Sequence, residues 1–138
     1  MRIMGIDFGD ARVGVAVTDP LGITAQGVGT VKNGGVKKLM AELDAIIKEY
    51  NPEEIGIGLP INMDGTEGFR ADATYKFAKR LGEIYDGKIE FVDERLTTVG
   101  ASQFLNVTNT RGTKRKDVID TVSACLILET YMKRKNNS

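Results

Sequence analysis

The first twenty residues constrain the fold most, because they predict two strands joined by a tight turn. Apolar runs at residues 3–6 and 13–17 flank the turn Gly9-Asp10-Ala11-Arg12. Apolar runs that bound a Gly/Asp turn are typical of a β-hairpin. Asp7 ends the first run, and a buried carboxylate is costly unless it is paired, hydrogen-bonded or bound to a cation. Asp7 is therefore a candidate site residue; the alternative is that it only caps the turn.

The composition indicates a soluble globular protein that folds as one domain over residues 1–138. Hydrophobic residues make up 41% and charged residues 28% of the chain, which is the usual balance for such domains. No run approaches the ~20 apolar residues of a membrane span, and the N-terminus does not resemble a signal peptide. The single cysteine, Cys125, excludes an internal disulfide and a multi-cysteine metal site. A cytoplasmic protein is expected.

The absence of histidine narrows the possible chemistry. It excludes Ser-His-Asp and Cys-His catalysis and histidine-based zinc ligation. Catalysis must then depend on carboxylates, Lys or Arg, hydroxyls or a bound metal. The chain has 19 acidic residues, and carboxylates are natural ligands for a hard cation such as Mg²⁺.

The charge is balanced overall but uneven along the chain. The formal net charge is zero, yet residues 111–135 contain seven basic residues against three acidic ones. A local basic stripe can contact phosphates in a neutral protein. The alternative interpretation is a solvated helix end.

Hydrophobic periodicity predicts that strands and helices alternate after the hairpin. The expected order is a strand at 23–31, a helix at 36–50, a strand at 55–60, a helix at 69–85, a strand at 89–92, a short helix at 96–105, a loop at 106–113 and a final helix at 114–135. This order predicts an α/β fold in which helices cover both faces of a mixed sheet. The predicted core face of the final helix is Val118, Val122, Cys125, Leu126, Leu128 and Met132.

Carboxylates follow the predicted strands at the edge where sites of open α/β sheets lie. Asp7 ends the first strand, Asp93 and Glu94 end the last, and the final helix carries Asp117 and Asp120 on one face. Such a cluster repels itself unless a divalent cation compensates, and Mg²⁺ or Mn²⁺ held this way suits phosphodiester hydrolysis.

Cationic and hydroxyl side chains near these acids could bind a nucleic-acid substrate. They are Arg12, Arg95, Thr97, Lys114 and Lys116. Gly9 and Gly14 are expected to let a phosphate backbone approach. Two alternatives remain open: residues 93–95 could form a surface salt bridge, and Asp117 could be only the N-terminal charge of a helix.

Several segments together closely resemble the YqgF (RuvX-like) family. They are Gly-Ile-Asp-Phe-Gly at 5–9, Arg-Val-Gly-Val-Ala at 12–16, Gly-Leu-Pro at 58–60 with Asn-Met-Asp-Gly-Thr-Glu at 62–67, Asp-Glu-Arg-Leu-Thr-Thr at 93–98, and Ile119-Asp120 followed by Ile127-Leu128-Glu129-x-Tyr131. These bacterial RNase H-fold proteins are described as Holliday-junction resolvases and as the nuclease that matures pre-16S ribosomal RNA. The match covers nearly the whole chain, in order and at matching spacing.

The resemblance implies an RNase H-like fold with strand order 3-2-1-4-5 and a metal-dependent endonuclease. It implies Asp7, Glu94 and Asp120 as catalytic carboxylates, with Asp93 beside Glu94 and Asp117 as a less well supported ligand. Gly58 offers no carboxylate where the RuvC resolvases carry a strand-four acid, so the acid that follows strand five must substitute for it.

The expected function is maturation of the 5′ end of pre-16S rRNA in ribosome biogenesis. One alternative is a Holliday-junction resolvase, which should be a homodimer because it cuts two symmetric strands. Another is a non-catalytic module that binds RNA or ribosomal particles. The Asp-Phe-Gly hairpin also resembles the phosphate loop of the actin/Hsp70/sugar-kinase superfamily, but those proteins close two such domains over ATP.

Overall fold

The computed structural model describes residues 1–96 and 112–136, with the side chains of Leu96 and of residues 112–117 left out. The described residues form a five-stranded sheet of order β3-β2-β1-β4-β5 and three α-helices. The elements are β1 Ile3–Phe8, β2 Arg12–Thr18, β3 Ala25–Lys32, α1 Val36–Tyr50, β4 Glu54–Leu59, α2 Phe69–Leu81, β5 Lys88–Asp93, a 3₁₀ turn Glu94–Leu96, and α3 Gly112–Asn136. The predicted fold class and strand order are confirmed. The predicted helix at 96–105 and loop at 106–113 lie mostly outside the described residues.

The sheet is mixed, and its central strand is β1. β1 pairs antiparallel with β2, so that Asp7 lies opposite Gly14, and parallel with β4, so that Ile6 lies opposite Ile57. β5 extends the parallel part and brings Asp93 opposite Leu59. The carboxyl ends of β1, β4 and β5 therefore meet at one edge, as the sequence predicts.

Helices α1 and α2 cover one face of the sheet. Leu39, Leu43 and Ile47 are the buried residues of α1, whose helical spacing the sequence shows. The helix ends at Asn51, which adopts a left-handed conformation at φ 47° before Pro52. α2 ends at Leu81, short of the predicted residue 85, and Tyr85 is buried beyond it. The Tyr85 hydroxyl donates a hydrogen bond of 2.8 Å to the Pro52 carbonyl.

Helix α3 covers the other face, and glycines on three adjacent strands let it lie close to the sheet. A Cβ at Gly5 would come within 2.7 Å of the Ala124 carbonyl oxygen, and one at Gly14 would overlap the Asp120 carbonyl. On β4, a Cβ at Gly56 would contact the Tyr131 ring at 3.3 Å. The helix backbone therefore occupies space that side chains would otherwise fill.

The predicted core face of α3 is partly wrong. The buried positions are Val122, Ala124, Ile127, Leu128 and Tyr131, so only Val122 and Leu128 were correctly placed. Cys125, Leu126 and Met132 are half-buried at the sides of this face. Ala124, Ile127 and Tyr131 lie against glycines of the sheet.

The C-terminal half of α3 is fixed to β4 by a polar contact. The hydroxyl of Tyr131 donates to the carboxylate of Glu54, which is buried, and the ammonium of Lys135 donates to the same carboxylate. In the part of the chain that the structure describes, no helix is long and apolar enough to cross a membrane.

Candidate active site

Strand alternation directs Asp7 and Glu94 to the face of the sheet that α3 covers. Successive side chains of a strand point to opposite faces. Gly5 contacts α3, so Asp7, two residues later, points the same way. Val92 packs in the α3 cluster, so Glu94 follows on that side.

Asp120 reaches the same place from α3. It precedes Ala124, Ile127 and Tyr131 at helical spacing, and these three residues form the fully buried stripe against the sheet. Its backbone lies over Gly14, the residue paired with Asp7. Elements far apart in the sequence thus bring the three carboxylates together.

Glu94 occupies the space above Gly58. A Cβ at residue 58 would lie only 2.8 Å from Glu94 Oε1 and 2.9 Å from its Cγ. A side chain at residue 58 and the observed position of Glu94 are therefore mutually exclusive. This agrees with the inference that the acid following strand five substitutes for a strand-four acid.

The carboxyl of Asp7 has a strongly perturbed pKa. Burial raises the pKa of Asp7 to about 8, with further contributions from a hydrogen bond to Glu94 and from the negative charges of Glu94 and Asp120. Below that pH, Asp7 is the protonated partner and donates to the Glu94 carboxylate. Burial and the neighbouring carboxylates therefore disfavour a negative charge on Asp7.

Arg12 pairs with one of the three carboxylates. Its Nε donates to Asp120 Oδ2 at 2.7 Å, and the two side chains are 31% and 22% exposed. The sequence predicts Arg12 as a substrate-binding residue. In the structure it neutralises Asp120, and a phosphate would have to compete for it.

Arg70 is a cation near the site that the sequence analysis did not identify. It lies in the first turn of α2, and its positive charge lowers the pKa of Asp7 against the dominant effect of burial. Its side chain is exposed. No motif marks this position, although it lies at the start of the helix that follows β4, a place that sheet topology could have indicated.

Asp93 and Arg95 form a separate pair. The Arg95 guanidinium and backbone amide bond to the Asp93 carboxylate at 2.7–3.1 Å. This hydrogen bonding holds the pKa of Asp93 below its ordinary range. Alternation also places Asp93 on the opposite face from Val92, so the structure does not bring Asp93 into the carboxylate cluster.

The loop before α2 is closed by its own polar groups. Asp64 Oδ1 accepts hydrogen bonds from the Thr66 amide and hydroxyl at 3.0 and 2.6 Å, and Asn62 Nδ2 donates to the Thr66 hydroxyl at 3.0 Å. The Asn-Met-Asp-Gly-Thr-Glu motif therefore shapes the chain that leads to Arg70.

The remaining predicted site residues are not placed by the structure. Thr97 and the side chains of Lys114, Lys116 and Asp117 lie outside the described residues. The expected role of Gly14 is wrong, because its missing side chain makes room for the α3 backbone and not for a phosphate. Gly9 lies against the Arg12 carbonyl within the turn.

The chemistry of the carboxylates suits a hard divalent cation, but in this arrangement they do not form a complete set of metal ligands. Among the side chains that the structure describes, no three such groups are arranged to hold a metal ion, and Asp120 is bonded to Arg12. Protonated Asp7 is hydrogen-bonded to Glu94 at a place where a cation would otherwise compensate the negative charge of these acids. All the available donors are carboxylate oxygens, which Mg²⁺ and Mn²⁺ prefer.

Comparison with known proteins identifies relatives along nearly the entire chain. The family model described as "RuvX: Holliday junction resolvase" matches residues 1–134. A protein of Ruminiclostridium cellulolyticum named "Putative pre-16S rRNA nuclease" is 46% identical over 135 residues, which cover 97% of this chain and 95% of the relative. A protein of the same name from Clostridioides difficile is 47% identical over 137 residues, covering 99% and 97%.

Solved structures with the same fold are Holliday-junction resolvases. RuvC of Thermus thermophilus in complex with a Holliday-junction substrate superposes with a TM-score of 0.61 at 12% identity, covering 97% of this chain and 96% of its own. The fowlpox virus resolvase in complex with junction DNA gives a TM-score of 0.58 at 16% identity, covering 98% and 99%. At these identities the likeness establishes the RNase H-like fold alone.

Proposed function

The chain belongs to the RuvX family, and on that premise we propose that it is a metal-dependent endonuclease that matures the 5′ end of pre-16S rRNA. Family membership makes it a phosphodiester-cleaving hydrolase. The observation that carries the proposal is the convergence of Asp7, Glu94 and Asp120, with the pKa of Asp7 raised to about 8. Perturbed carboxylates at the carboxyl edge of a sheet are typical of catalytic sites.

The proposed ligands of Mg²⁺ or Mn²⁺ are Asp7, Glu94 and Asp120. Such an ion, when bound, lowers the pKa of an attacking water and stabilises the leaving oxygen. Asp7 must lose its proton to bind it. Asp120 must turn from Arg12, and this exchange would release the Arg12 guanidinium toward a phosphate oxygen.

Arg70 and Arg12 are the proposed phosphate-binding cations among the described residues. Arg70 acts electrostatically on Asp7 from the start of α2, and Arg12 lies beside Asp120. The two guanidinium groups would orient the scissile phosphate and neutralise its non-bridging oxygens. Arg95 is less suited to this role, because Asp93 already engages its guanidinium.

The names of the relatives support pre-16S rRNA as the substrate, since two relatives of more than 40% identity carry that name. Such an enzyme would act in the cytoplasm on precursor ribosomal particles. A second candidate function, Holliday-junction resolution, is favoured by the description of the family. It would require a homodimer to cut two symmetric strands.

The test is cleavage of an end-labelled pre-16S RNA fragment and a labelled four-way DNA junction side by side, with Mg²⁺, Mn²⁺ or chelator. We expect metal-dependent cleavage of the RNA at a defined site. Asp7→Asn and Asp120→Asn should reduce it by about 10³-fold or more while RNA binding persists. Asp10→Asn, an exposed acid in the same hairpin turn, is the matched control and should cleave normally.

Three outcomes would redirect the assignment. Normal cleavage by both site variants would make the catalytic assignment wrong. Cleavage of the junction in preference to the RNA, by a dimer, would favour the resolvase. RNA binding with no cleavage under any metal condition would favour a non-catalytic module.

A further inference from the structure

A groove lies between α1 and α2, on the opposite face of the sheet from the carboxylates. Its volume is about 830 Å³, and its floor and walls are mainly apolar: Phe8, Leu39, Met40, Ala73 and Phe77. Val36 at its rim is 52% exposed. A second recess of about 460 Å³ continues it and shares Val36 and Met40 with it.

The rim of this α1–α2 groove is strongly basic. Lys37, Lys76, Lys79 and Arg80 line the groove or its continuation, against a single carboxylate, Glu83. Glu83 lies 3.6 Å from Arg80 and neutralises only that cation. The groove therefore combines an apolar floor with an excess of positive charge.

We propose that the α1–α2 groove binds an acidic amphipathic helix of a partner protein. An apolar stripe on such a helix would cover Val36, Met40 and Phe77, and its flanking Asp and Glu residues would meet the lysines. On α2 the wall runs from Ala73 to Arg80, about 10 Å at the rise of an α-helix, and the turn that follows the helix extends it to Glu83. The helical part of this wall matches about two turns of the partner helix, and the extension lengthens that contact.

The groove is poorly suited to nucleic acid. A phosphate backbone laid over the apolar floor would lose water without gaining hydrogen bonds there. The rings of Phe8 and Phe77 stack on each other at 4.4 Å between centroids, so each has one aromatic face already covered. The polar lining residue Asn33 donates its side-chain amide to the Gly9 carbonyl at 3.0 Å.

The proposal stands independently of the nuclease assignment. The carboxylates face α3, whereas the groove is formed by the two helices on the other side of the sheet. An occupied groove would leave the catalytic edge accessible. The interaction would thus tether the protein to a partner without blocking its substrate.

The test uses the full chain and fluorescein-labelled peptides of about 14 residues. The first peptide is a designed helix with Leu at positions i, i+4, i+7 and i+11 and Glu on both flanks. The second has the same composition with the Leu stripe scrambled, and the third has Lys in place of Glu. Fluorescence anisotropy should show that only the first binds, with a Kd on the order of micromolar that rises with salt.

Surface variants locate the binding site. The double variant Lys76→Glu/Lys79→Glu and the single variant Val36→Asp should each weaken binding of the acidic peptide by about tenfold or more. All three positions are exposed, so folding should be retained, as circular dichroism can verify. Lys38→Glu, an exposed lysine of α1 outside the groove lining, is the control and should bind as the wild type does.

Several results would overturn the proposal. They are equal binding of the scrambled or the Lys peptide, no binding of the acidic peptide at about 100 times the expected Kd, or unchanged binding by the groove variants. Displacement of the acidic peptide by a single-stranded RNA would assign the groove to nucleic acid. A wild-type dimer that Val36→Asp makes monomeric in sedimentation would assign it to a second copy of this chain.

Discussion

Among single residues, Asp7 shows how a candidate catalytic group weakens the fold that carries it. Its pKa rises from 3.8 to about 8, first because of burial and then because of Glu94 and Asp120. Folding therefore favours the protonated form. Between about pH 4 and pH 8 the native state binds more protons than the unfolded state, so stability falls as pH rises through this window.

Asp7→Asn should stabilise the metal-free protein at pH 8, because it removes the carboxylate that must either hold a proton or remain charged and buried. We expect a gain of about 1–3 kcal/mol at pH 8 and little or no gain at pH 4. Urea denaturation in chelator at the two pH values measures it. Asp10→Asn should show no such pH-dependent gain, and an equal response of both variants would mean that Asp7 is not the perturbed group.

Arg70 yields a kinetic prediction. Arg70→Ala should lower kcat/KM for RNA cleavage by about tenfold or more, because it removes a cation that acts on the carboxylate cluster. Arg70→Lys should recover part of the loss. Lys79→Ala, on the same helix about two and a half turns nearer its C-terminus, should cleave normally. Equal losses at both positions would indicate only a nonspecific electrostatic effect.

The sequence identifies the acids of the cluster more readily than it selects among them. The ends of the predicted strands identify Asp7 and the pair at 93–94 as site candidates. Which of Asp93 and Glu94 faces the site depends on the alternation of side chains along β5, and a single sequence does not reveal the register of that strand. Arg70 was missed because the loop before it is aperiodic, and the path of such a loop depends on bonds like that between Asp64 and Thr66.

Among the secondary-structure elements, α3 packs closely on the sheet because several residues beneath it are glycines without side chains. Its stripe of Ala124, Ile127 and Tyr131 lies against Gly5, Gly56 and Gly58. The sequence predicts the helix itself, but the predicted buried face differs from the observed one, because apolar periodicity ranks large aliphatic residues first. These glycines come from two strands, β1 and β4, and the adjacency of the two strands is a tertiary property.

Gly14→Ala should therefore be costly although alanine is a small residue. The added Cβ would overlap the carbonyl oxygen of Asp120, and neither backbone can move without disturbing β1 or α3. We expect a loss of about 2–3 kcal/mol in the free energy of unfolding and a larger proportional loss of cleavage, since Asp120 must shift.

Gly34→Ala is the matched control for that variant. A Cβ there would lie 3.9 Å from the nearest side-chain atom, Lys38 Cδ. Its stability should change by less than about 0.5 kcal/mol. If Gly14→Ala were equally neutral in urea denaturation, the close approach of α3 to β2 would not contribute to stability.

For the protein as a whole, the carboxylate cluster joins elements that are otherwise held by separate contacts. One acid comes from β1, one from the residue after β5 and one from α3. When Asp7 is ionised and no metal is bound, repulsion among these acids opposes the packing of α3 on the sheet, although Arg12 pairs with Asp120. A divalent ion bound there should stabilise the entire fold, and thermal denaturation can detect this without any substrate. At Mn²⁺ concentrations about ten times the Kd, binding should add about 1.4 kcal/mol to the free energy of unfolding and raise Tm by roughly 3–5 °C.

This increase in Tm, measured for each variant against its own metal-free Tm, should vanish in Asp7→Asn and Asp120→Asn and persist in Asp10→Asn. An equal increment in all three would place the ion elsewhere on the protein.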